Sequence, residues 1–320
     1  MEELISVIVP IFNTDLSTLR ICLSCLKKQS YSNLEVLCVD GGSSQTVVDV
    51  INDFLSDPRF KLLNTLPGVS HQRNVGIENS RGKFLLFIDS DDFFDEKFIF
   101  NLYSALEKNC ADIAIPHIHR CDFLEGKQIT DIPYKVVQIE ETVTEQNYFK
   151  YGRSGELVNP IKLYRRNLIG DERFNVDCSY GEDMLFNFEL SKKTFITTFV
   201  PDAVYYYRVI KGSNSTERRL DKKGLFIVGA LASLIKSKRI KNKDAVIGLT
   251  NEFDFVFREF YYSLARQKKV KMLFWMIKYK YLYFKRHHGI HDVLFLLFPI
   301  MIVSRRNRRA KRMLKKGENV

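Results

Sequence analysis

Three carboxylates stand together where an apolar run stops, at Asp89, Asp91 and Asp92 in the segment LLFIDSDDFF. Acids this close repel one another and raise one another's pKa unless a cation joins them. Asp-x-Asp at the end of a buried strand therefore suits a hard divalent cation, which takes oxygen ligands and often shares them with phosphates. Helix capping is the alternative, with Asp92 or Ser90 capping a helix that begins near Asp95.

The elements that must position these acids alternate along the first hundred residues. Apolar runs predict strands at 6–9, 34–39, 60–63 and 84–88, and helical spacing predicts helices at 16–28, 47–55 and 72–79. Strands that are apolar on both faces and separated by helices indicate an α/β fold, with a parallel sheet covered on both sides. Ligands bind beyond the carboxyl ends of such strands. Further along, DIAIPHIH and IPYKVVQI predict strands, and the chain from about Leu220 onward is predicted to be mostly helical.

Two further strand ends carry groups suited to a nucleotide. VPIFN ends the first strand with Pro10 and places Phe12 where a flat base could lie against it. VDGGSS provides Asp40, followed by glycines that let a ligand approach the backbone closely. The ends of three strands are therefore expected to form one binding edge.

Five ordered segments carry a more specific resemblance. They are SVIVPIFNTDLSTLRICLSCLKKQSYSNLEVLCVDGGSS, SHQRNVGIENSRGKFLLFIDSDDFFDEKFI, NPIKLYRRNLI, YGEDMLFNFEL and YYYRVIKGSNST. In order and spacing they resemble the motifs of the family 2 glycosyltransferases, over about residues 4–218. The resemblance implies a GT-A nucleotide-sugar-binding fold with a mostly parallel, mixed sheet flanked by helices. It also implies a divalent metal, Mn²⁺ or Mg²⁺, and an inverting displacement.

The resemblance also implies roles for single residues. The implied donor-binding residues are Pro10, Phe12, Asn13, Asp40, Gly42, Arg73, Asp89 and Ser90. Asp91 would be the direct metal ligand, with Asp89 facing the ribose and the metal. The family often has two consecutive acids where this chain has Asp40-Gly41, so the choice of base stays open at that position.

The segment YGEDMLF supplies the implied catalytic acids. Asp183 resembles the family's general base, and Glu182 stands beside it; the alternative is that the two acids only begin a helix over 183–192. Arg208 and Lys211, followed by the flexible segment 212–216, suit a lid over the diphosphate or a solvated surface loop.

Histidines and cysteines offer weaker candidates. His71 lies beside the implied donor site, whereas His117 and His119 alternate along a strand without carboxylate partners nearby in the sequence. Cys22 and Cys25 have CxxC spacing but lie within a helical pattern with no second pair. We therefore expect reduced packing thiols rather than a redox or zinc site.

Basic charge is concentrated in the C-terminal part. The chain of 320 residues has a formal charge of +11, and residues 264–320 carry sixteen Lys and Arg against two acids, a net of +14. The longest uncharged run there, 293–304, is shorter than the about 20 residues of a membrane-spanning helix. An interfacial helix on an anionic membrane surface fits this pattern; an apolar helix packed on the body is the alternative. No nucleic-acid module is recognised, and no signal peptide precedes the first strand, so a cytoplasmic, peripheral location is expected.

Together these features predict a GT-A domain over 1–218 and a helical, basic, membrane-associating region over 219–320. The predicted activity is transfer of a sugar from a nucleotide sugar, a UDP-sugar by preference, to a glycan or lipid-linked acceptor of a cell-surface polysaccharide. A catalytically idle sensor or scaffold and a nucleotidyltransferase are the alternatives.

Overall fold

A computed structural model describes residues 2–124, 127–131, 142–150, 157–208 and 226–266 of the chain. Its strands are β1 Ile5–Ile11, β2 Leu34–Asp40, β3 Phe60–Asn64, β4 Phe84–Phe87, β5 Phe93–Phe94, β6 Ile113–Leu124, β7 Lys127–Asp131, β8 Thr142–Val143, β9 Leu163–Arg165 and β10 Phe195–Arg208. Its helices are α1 Leu16–Lys27, α2 Gln45–Asn52, α3 Val69–Asn79, α4 Phe98–Lys108, α5 Arg166–Ile169, α6 Glu182–Ser191, α7 Phe226–Ser237 and α8 Lys243–Arg266.

One mixed sheet organises the described residues, in the strand order β3-β2-β1-β4-β9-β6-β10-β5. The first four strands in this order are parallel. Strand β9 then runs antiparallel to both β4 and β6, β10 pairs with β6 in parallel, and β5 pairs with β10 antiparallel. The predicted α/β class with a mostly parallel, mixed sheet is therefore confirmed.

Both faces of the sheet are buried, which explains why its strands are apolar throughout. Along β1, Val7 and Val9 pack on one face with α1, α2 and α4, whereas Ile8 packs on the other with α3, α6, α7 and α8. Side chains of a strand alternate between the faces, so a strand covered on both sides needs apolar residues at every position.

The predicted elements of the first hundred residues are confirmed in type, but the helix ends differ. Helix α2 begins two residues before the predicted start and ends three residues before the predicted end, and α3 begins three residues earlier than predicted. Gly68, at a φ of +129°, precedes α3 and turns the chain into the helix. The strand predicted from DIAIPHIH is part of β6, whereas that predicted from IPYKVVQI lies outside the described residues.

Helices α7 and α8 confirm the predicted helical character after Leu220 as far as Arg266. They join the core on the α6 side, where Ile227, Leu231 and Phe253 pack in the same cluster as Phe149 and Phe188. The domain boundary at 218/219 stays a prediction. Among the described residues, no helix is long and apolar enough to cross a membrane.

Close packing of α3 on β1 depends on Gly76. A Cβ at Gly76 would lie 2.3 Å from Cγ2 of the buried Ile8. We expect Gly76→Ala to lower the free energy of unfolding by about 1–3 kcal/mol through overpacking, although alanine is intrinsically better in a helix by about 1 kcal/mol. Urea unfolding measures this. The cost should shrink in an Ile8→Ala background, where a cavity accepts the methyl group; a stabilised single variant contradicts the packing.

Candidate active site

The ends of three parallel strands meet at one edge of the sheet. Ile11 at the end of β1 is the register partner of Asp40 at the end of β2, and β4 runs beside β1 on its other side. Gln72 of α3 is buried, and its Nε2 donates to the carbonyl oxygens of Ile11 (2.5 Å) and Val39 (3.0 Å). The side chain therefore joins the first two strand ends. Sequence reasoning missed Gln72, although it lies in the quoted segment SHQRN.

The loops after β1 and β2 are cross-linked by Asn13, which has a φ of +49°. Its backbone N–H donates to Ser43 Oγ (2.9 Å), and its Oδ1 accepts from the N–H of Ser44 (2.9 Å). Beside this link the Phe12 side chain is 48% exposed. An exposed ring held on a braced loop can stack on a flat base. Pro10, by contrast, is buried inside β1.

Asp40 is buried beneath the second loop. One of its carboxylate oxygens accepts from the N–H of Gly42 (3.1 Å), and both accept from the N–H of Ser43 at 3.1 and 3.2 Å. Gly42 has a φ of +89°, where residues other than glycine are strained. Asp40 and Gly42 therefore fix the shape of this loop, and the predicted contact of Asp40 with the base or ribose stays a prediction.

The residues 89–92 form a tight acidic turn after β4. The N–H of Asp92 donates to the carbonyl of Asp89 (3.2 Å), and the hydroxyls of Ser90 and Thr14 are 2.7 Å apart. Burial, and then the charge of Asp89, raise the pKa of Asp91 to about 6. Asp91 makes no ion pair with any of the described residues.

This donor set fits a hard divalent cation. Asp89 and Asp91 bring carboxylate oxygens into one turn, where burial and then the charge of Asp89 disfavour the ionised form of Asp91. A bound cation would stabilise that ionised form. No group of three or more His, Cys, Asp or Glu placed to hold a metal occurs in the part of the chain that the structure describes. A cation here would therefore complete its coordination with water or with phosphate oxygens.

Asp92 does not cap a helix. Helix α4 begins at Phe98, and its N-cap residue, Lys97, makes no side-chain capping bond. The Asp92 side chain is instead fully buried and accepts hydrogen bonds from Tyr205 and Arg208. The capping interpretation of Asp92 is wrong because its partners are supplied by β10, far away in the sequence.

Arg73 of α3 joins the acidic turn to α6. Its guanidinium is buried, and it donates to Asp89 Oδ1 through Nη2 and to Glu182 Oε1 through Nη1, both at 3.1 Å. The same group lies over the ring of Phe174, 5.2 Å from the centroid. These two charge-assisted bonds link the turn and the helix to one side chain.

The two acids of YGEDMLF lie in the first turn of α6, which begins one residue before the predicted helix. Burial and the charge of Asp183 raise the pKa of Glu182 to about 7, although Arg73 opposes this. Burial also raises the pKa of Asp183, which Arg73 opposes. Asp183 Oδ1 accepts from the N–H of Met184 (2.7 Å). Burial thus raises the pKa of both acids, and of the two only Glu182 forms an ion pair with Arg73.

The structure describes some of the remaining candidate residues and not others. Arg208 ends β10, with its guanidinium 5.5 Å from the centroid of the Phe93 ring. Lys211 and the segment 212–216 lie outside the described residues. His117 and His119 share a face of β6 with their rings 5.4 Å apart, and His71 lies on α3. The six cysteines, all among the described residues, form no disulfide with one another, and Cys22 and Cys25 lie on α1 as predicted.

A parallel half-sheet with loops at its carboxyl edge, an acidic turn after β4 and an antiparallel insertion of β9 define a GT-A fold. A family model described as glycosyl transferase family 2 matches residues 6–172. The chain belongs to this family.

A curated relative agrees with this family, and solved structures agree with the fold. Glycosyltransferase GlyG of Streptococcus pneumoniae serotype 4 is 28% identical over 223 residues, which are 67% of this chain and 73% of GlyG. S. aureus TarS 1-349 in complex with UDP-GlcNAc superposes with a TM-score of 0.63 at 19% identity, covering 84% of this chain and 83% of TarS 1-349. The mannosyltransferase PcManGT from Pyrobaculum calidifontis, in complex with GDP-Man and Mn²⁺, has a TM-score of 0.55 at 14% identity, covering 97% and 83%.

The raised pKa of Glu182 predicts how stability depends on pH. Its folded-state pKa is about 7, against an ordinary 4.5. Between these values the folded chain keeps a proton that the unfolded chain has released, so this group makes the free energy of unfolding fall as pH rises. Glu182→Gln should flatten that fall between about pH 4.5 and 7 in chemical denaturation at a series of pH values. Glu189→Gln, on the same helix, should keep the wild-type slope; an unchanged slope in Glu182→Gln contradicts the assignment.

Proposed function

We propose that this protein is an inverting glycosyltransferase that uses a nucleotide sugar, preferably a UDP-sugar, and glycosylates a hydroxyl of a glycan or lipid-linked acceptor in cell-surface polysaccharide synthesis. One observation carries the proposal: the buried Arg73 bonds both to Asp89 in the acidic turn and to Glu182 beside Asp183. A site for a charged leaving group and a candidate base are thereby held next to each other.

The donor half of the proposal uses the strand ends. Phe12 would stack on the base above the loop that Asp40 and Gly42 shape, and Asp89 and Asp91 would hold a divalent cation. When bound, that cation would act as a Lewis acid on the diphosphate and stabilise the charge that develops as it leaves. PcManGT, whose complex contains Mn²⁺ and GDP-Man, and TarS, whose complex contains UDP-GlcNAc, support this donor class.

The acceptor half uses Asp183. In an inverting transfer the acceptor oxygen attacks the anomeric carbon on the face opposite the diphosphate, and a carboxylate takes the proton of that hydroxyl. Asp183 suits this task because burial raises its pKa and because Arg73 occupies Glu182 rather than Asp183. Glu182 would then hold Arg73 in place instead of acting as a second base.

The acceptor class is suggested by a relative. The poly(ribitol-phosphate) beta-N-acetylglucosaminyltransferase TarS is 23% identical over 209 residues, but this chain spans only 35% of it. Attachment of the basic C-terminal region to an anionic membrane surface is proposed from the sequence alone, because residues 267–320 lie outside the described residues.

A panel of UDP- and GDP-sugars with Mn²⁺ or Mg²⁺ tests the function through slow donor hydrolysis and binding calorimetry. We expect the wild-type protein to hydrolyse at least one donor. Asp183→Asn should bind that donor as tightly as wild type but lose about 10²–10⁴-fold in turnover, because the proton acceptor is gone.

The exposed Asp177, in the loop before α6, supplies the matched control. Asp177→Asn should hydrolyse and bind like wild type. Full turnover in Asp183→Asn would remove Asp183 from the role of base. A wild-type protein that neither binds nor hydrolyses any nucleotide sugar would refute the proposed function.

The cation site is tested at Asp91. Asp91→Asn removes one charged oxygen ligand, so UDP binding in the presence of Mn²⁺ should fall to the level that wild type shows in EDTA, measured by calorimetry. Asp95→Asn, four residues away and exposed, should bind as wild type does. Unimpaired Mn²⁺-dependent binding in Asp91→Asn would exclude this residue as a ligand.

A further inference from the structure

Asp92 is a buried acid that the proposed chemistry does not use. Its side chain has no exposed surface, although it directly follows the proposed metal ligand Asp91. Burying a carboxylate is costly unless each oxygen finds a donor. Here Oδ2 accepts from the hydroxyl of Tyr205 (2.7 Å), and Oδ1 accepts from the backbone N–H of Arg208 (2.8 Å).

The direction of these hydrogen bonds is determined by the groups involved. The backbone N–H of Asp89 donates to the hydroxyl oxygen of Tyr205 (3.2 Å). A tyrosine hydroxyl has one proton, so that proton goes to Asp92. Asp92 therefore orients the hydroxyl that receives Asp89, and the two ends of the acidic turn are tied to one atom of β10.

Tyr205 is held in place by the aromatic residues around it. Tyr205 is fully buried, with its ring parallel to that of Phe94 at 6.0 Å and tilted against Phe98 at 5.8 Å. The thiol of Cys22 lies 3.6 Å from the carbonyl oxygen of Asp89 and donates to it. Both backbone polar groups of Asp89 thus have partners outside the turn, in α1 and β10.

We propose that Asp92 and Tyr205 are positioning residues for donor binding: together they hold the turn that carries Asp89 and Asp91 and fix the backbone of Arg208 beside it. Neither contacts the substrate. This inference rests on the proposed function, because the turn matters only if Asp89 and Asp91 bind a cation and a diphosphate. It gives the third acid of the cluster a task distinct from those of the other two.

Tyr205→Phe tests the inference, since it removes the hydroxyl and keeps the ring. Tyr31→Phe is the matched control: Tyr31 is equally buried, and its hydroxyl donates to the carbonyl of Glu3 at the opposite edge of the sheet. The probe is UDP with Mn²⁺, followed by calorimetry and by the electron paramagnetic resonance spectrum of bound Mn²⁺. Thermal unfolding reports the structural cost of each variant.

We expect both variants to lose a few degrees in Tm. The loss should be larger in Tyr205→Phe, because the Tyr205 hydroxyl both accepts from Asp89 and donates to Asp92. Only Tyr205→Phe should bind UDP with Mn²⁺ about tenfold more weakly and alter the Mn²⁺ spectrum. Asp92→Asn, which retains the volume but can accept only one of the two bonds, should weaken binding in the same way and serves if Tyr205→Phe fails to fold.

The experiment distinguishes failure of the positioning role from failure of the proposed function. If wild type binds UDP or GDP with Mn²⁺ and Tyr205→Phe and Asp92→Asn bind within twofold of it, the positioning role is wrong and the proposed function stands. If wild type binds neither nucleotide, the proposed function fails and this inference fails with it. Equal weakening in Tyr31→Phe would also overturn the inference, because the effect would then be one of general stability.

Discussion

The ion pairs of Arg73 are the constraint on which the site depends. One buried guanidinium is bonded to Asp89, 16 residues later, and to Glu182, 109 residues later. Removing the arginine would leave both carboxylates without this cation, a larger loss than that of an exposed pair. The position of α6 relative to the acidic turn is therefore set by charge as well as by apolar packing.

Helix α3 makes this arrangement possible because three of its consecutive residues form hydrogen bonds with three different parts of the fold. Successive side chains of a helix point about 100° apart. Gln72 bonds to the ends of β1 and β2, Arg73 to the turn and α6, and Asn74 exchanges two hydrogen bonds with the backbone of Phe174 (2.8 and 2.9 Å). The parallel half of the sheet and the segment leading to α6 are thus joined through one helix, whose approach to β1 depends on Gly76.

The sequence could predict those features that depend on neighbouring residues or on a repeating apolar pattern. Strands buried on both faces are apolar throughout, so β1, β2 and β4 and the groups at their ends were identified together. Asp92 could not be understood in this way, because its partner Tyr205 lies 113 residues away and nothing near Asp92 distinguishes a cap from a buried acid. Gln72 was missed for the same reason: its partners are carbonyl groups of two other strands. Helix ends such as that of α3 depend on a positive-φ glycine that spacing alone does not locate.

The described groups of the site are mostly acidic, and this excess of negative charge would link the stability of the fold to ligand binding. Asp89, Glu182 and Asp183 lie around Arg73, and Lys162 also lowers the pKa of Asp183. Burial and the charge of a neighbouring acid still raise the pKa of Asp91 to about 6 and that of Glu182 to about 7. A folded state that holds unneutralised acids is less stable than one without them, and functional sites commonly carry such strain. The divalent cation proposed for this turn would reduce that repulsion on binding. Its binding free energy and the free energy of unfolding would then depend on the same electrostatic interactions at this edge of the sheet.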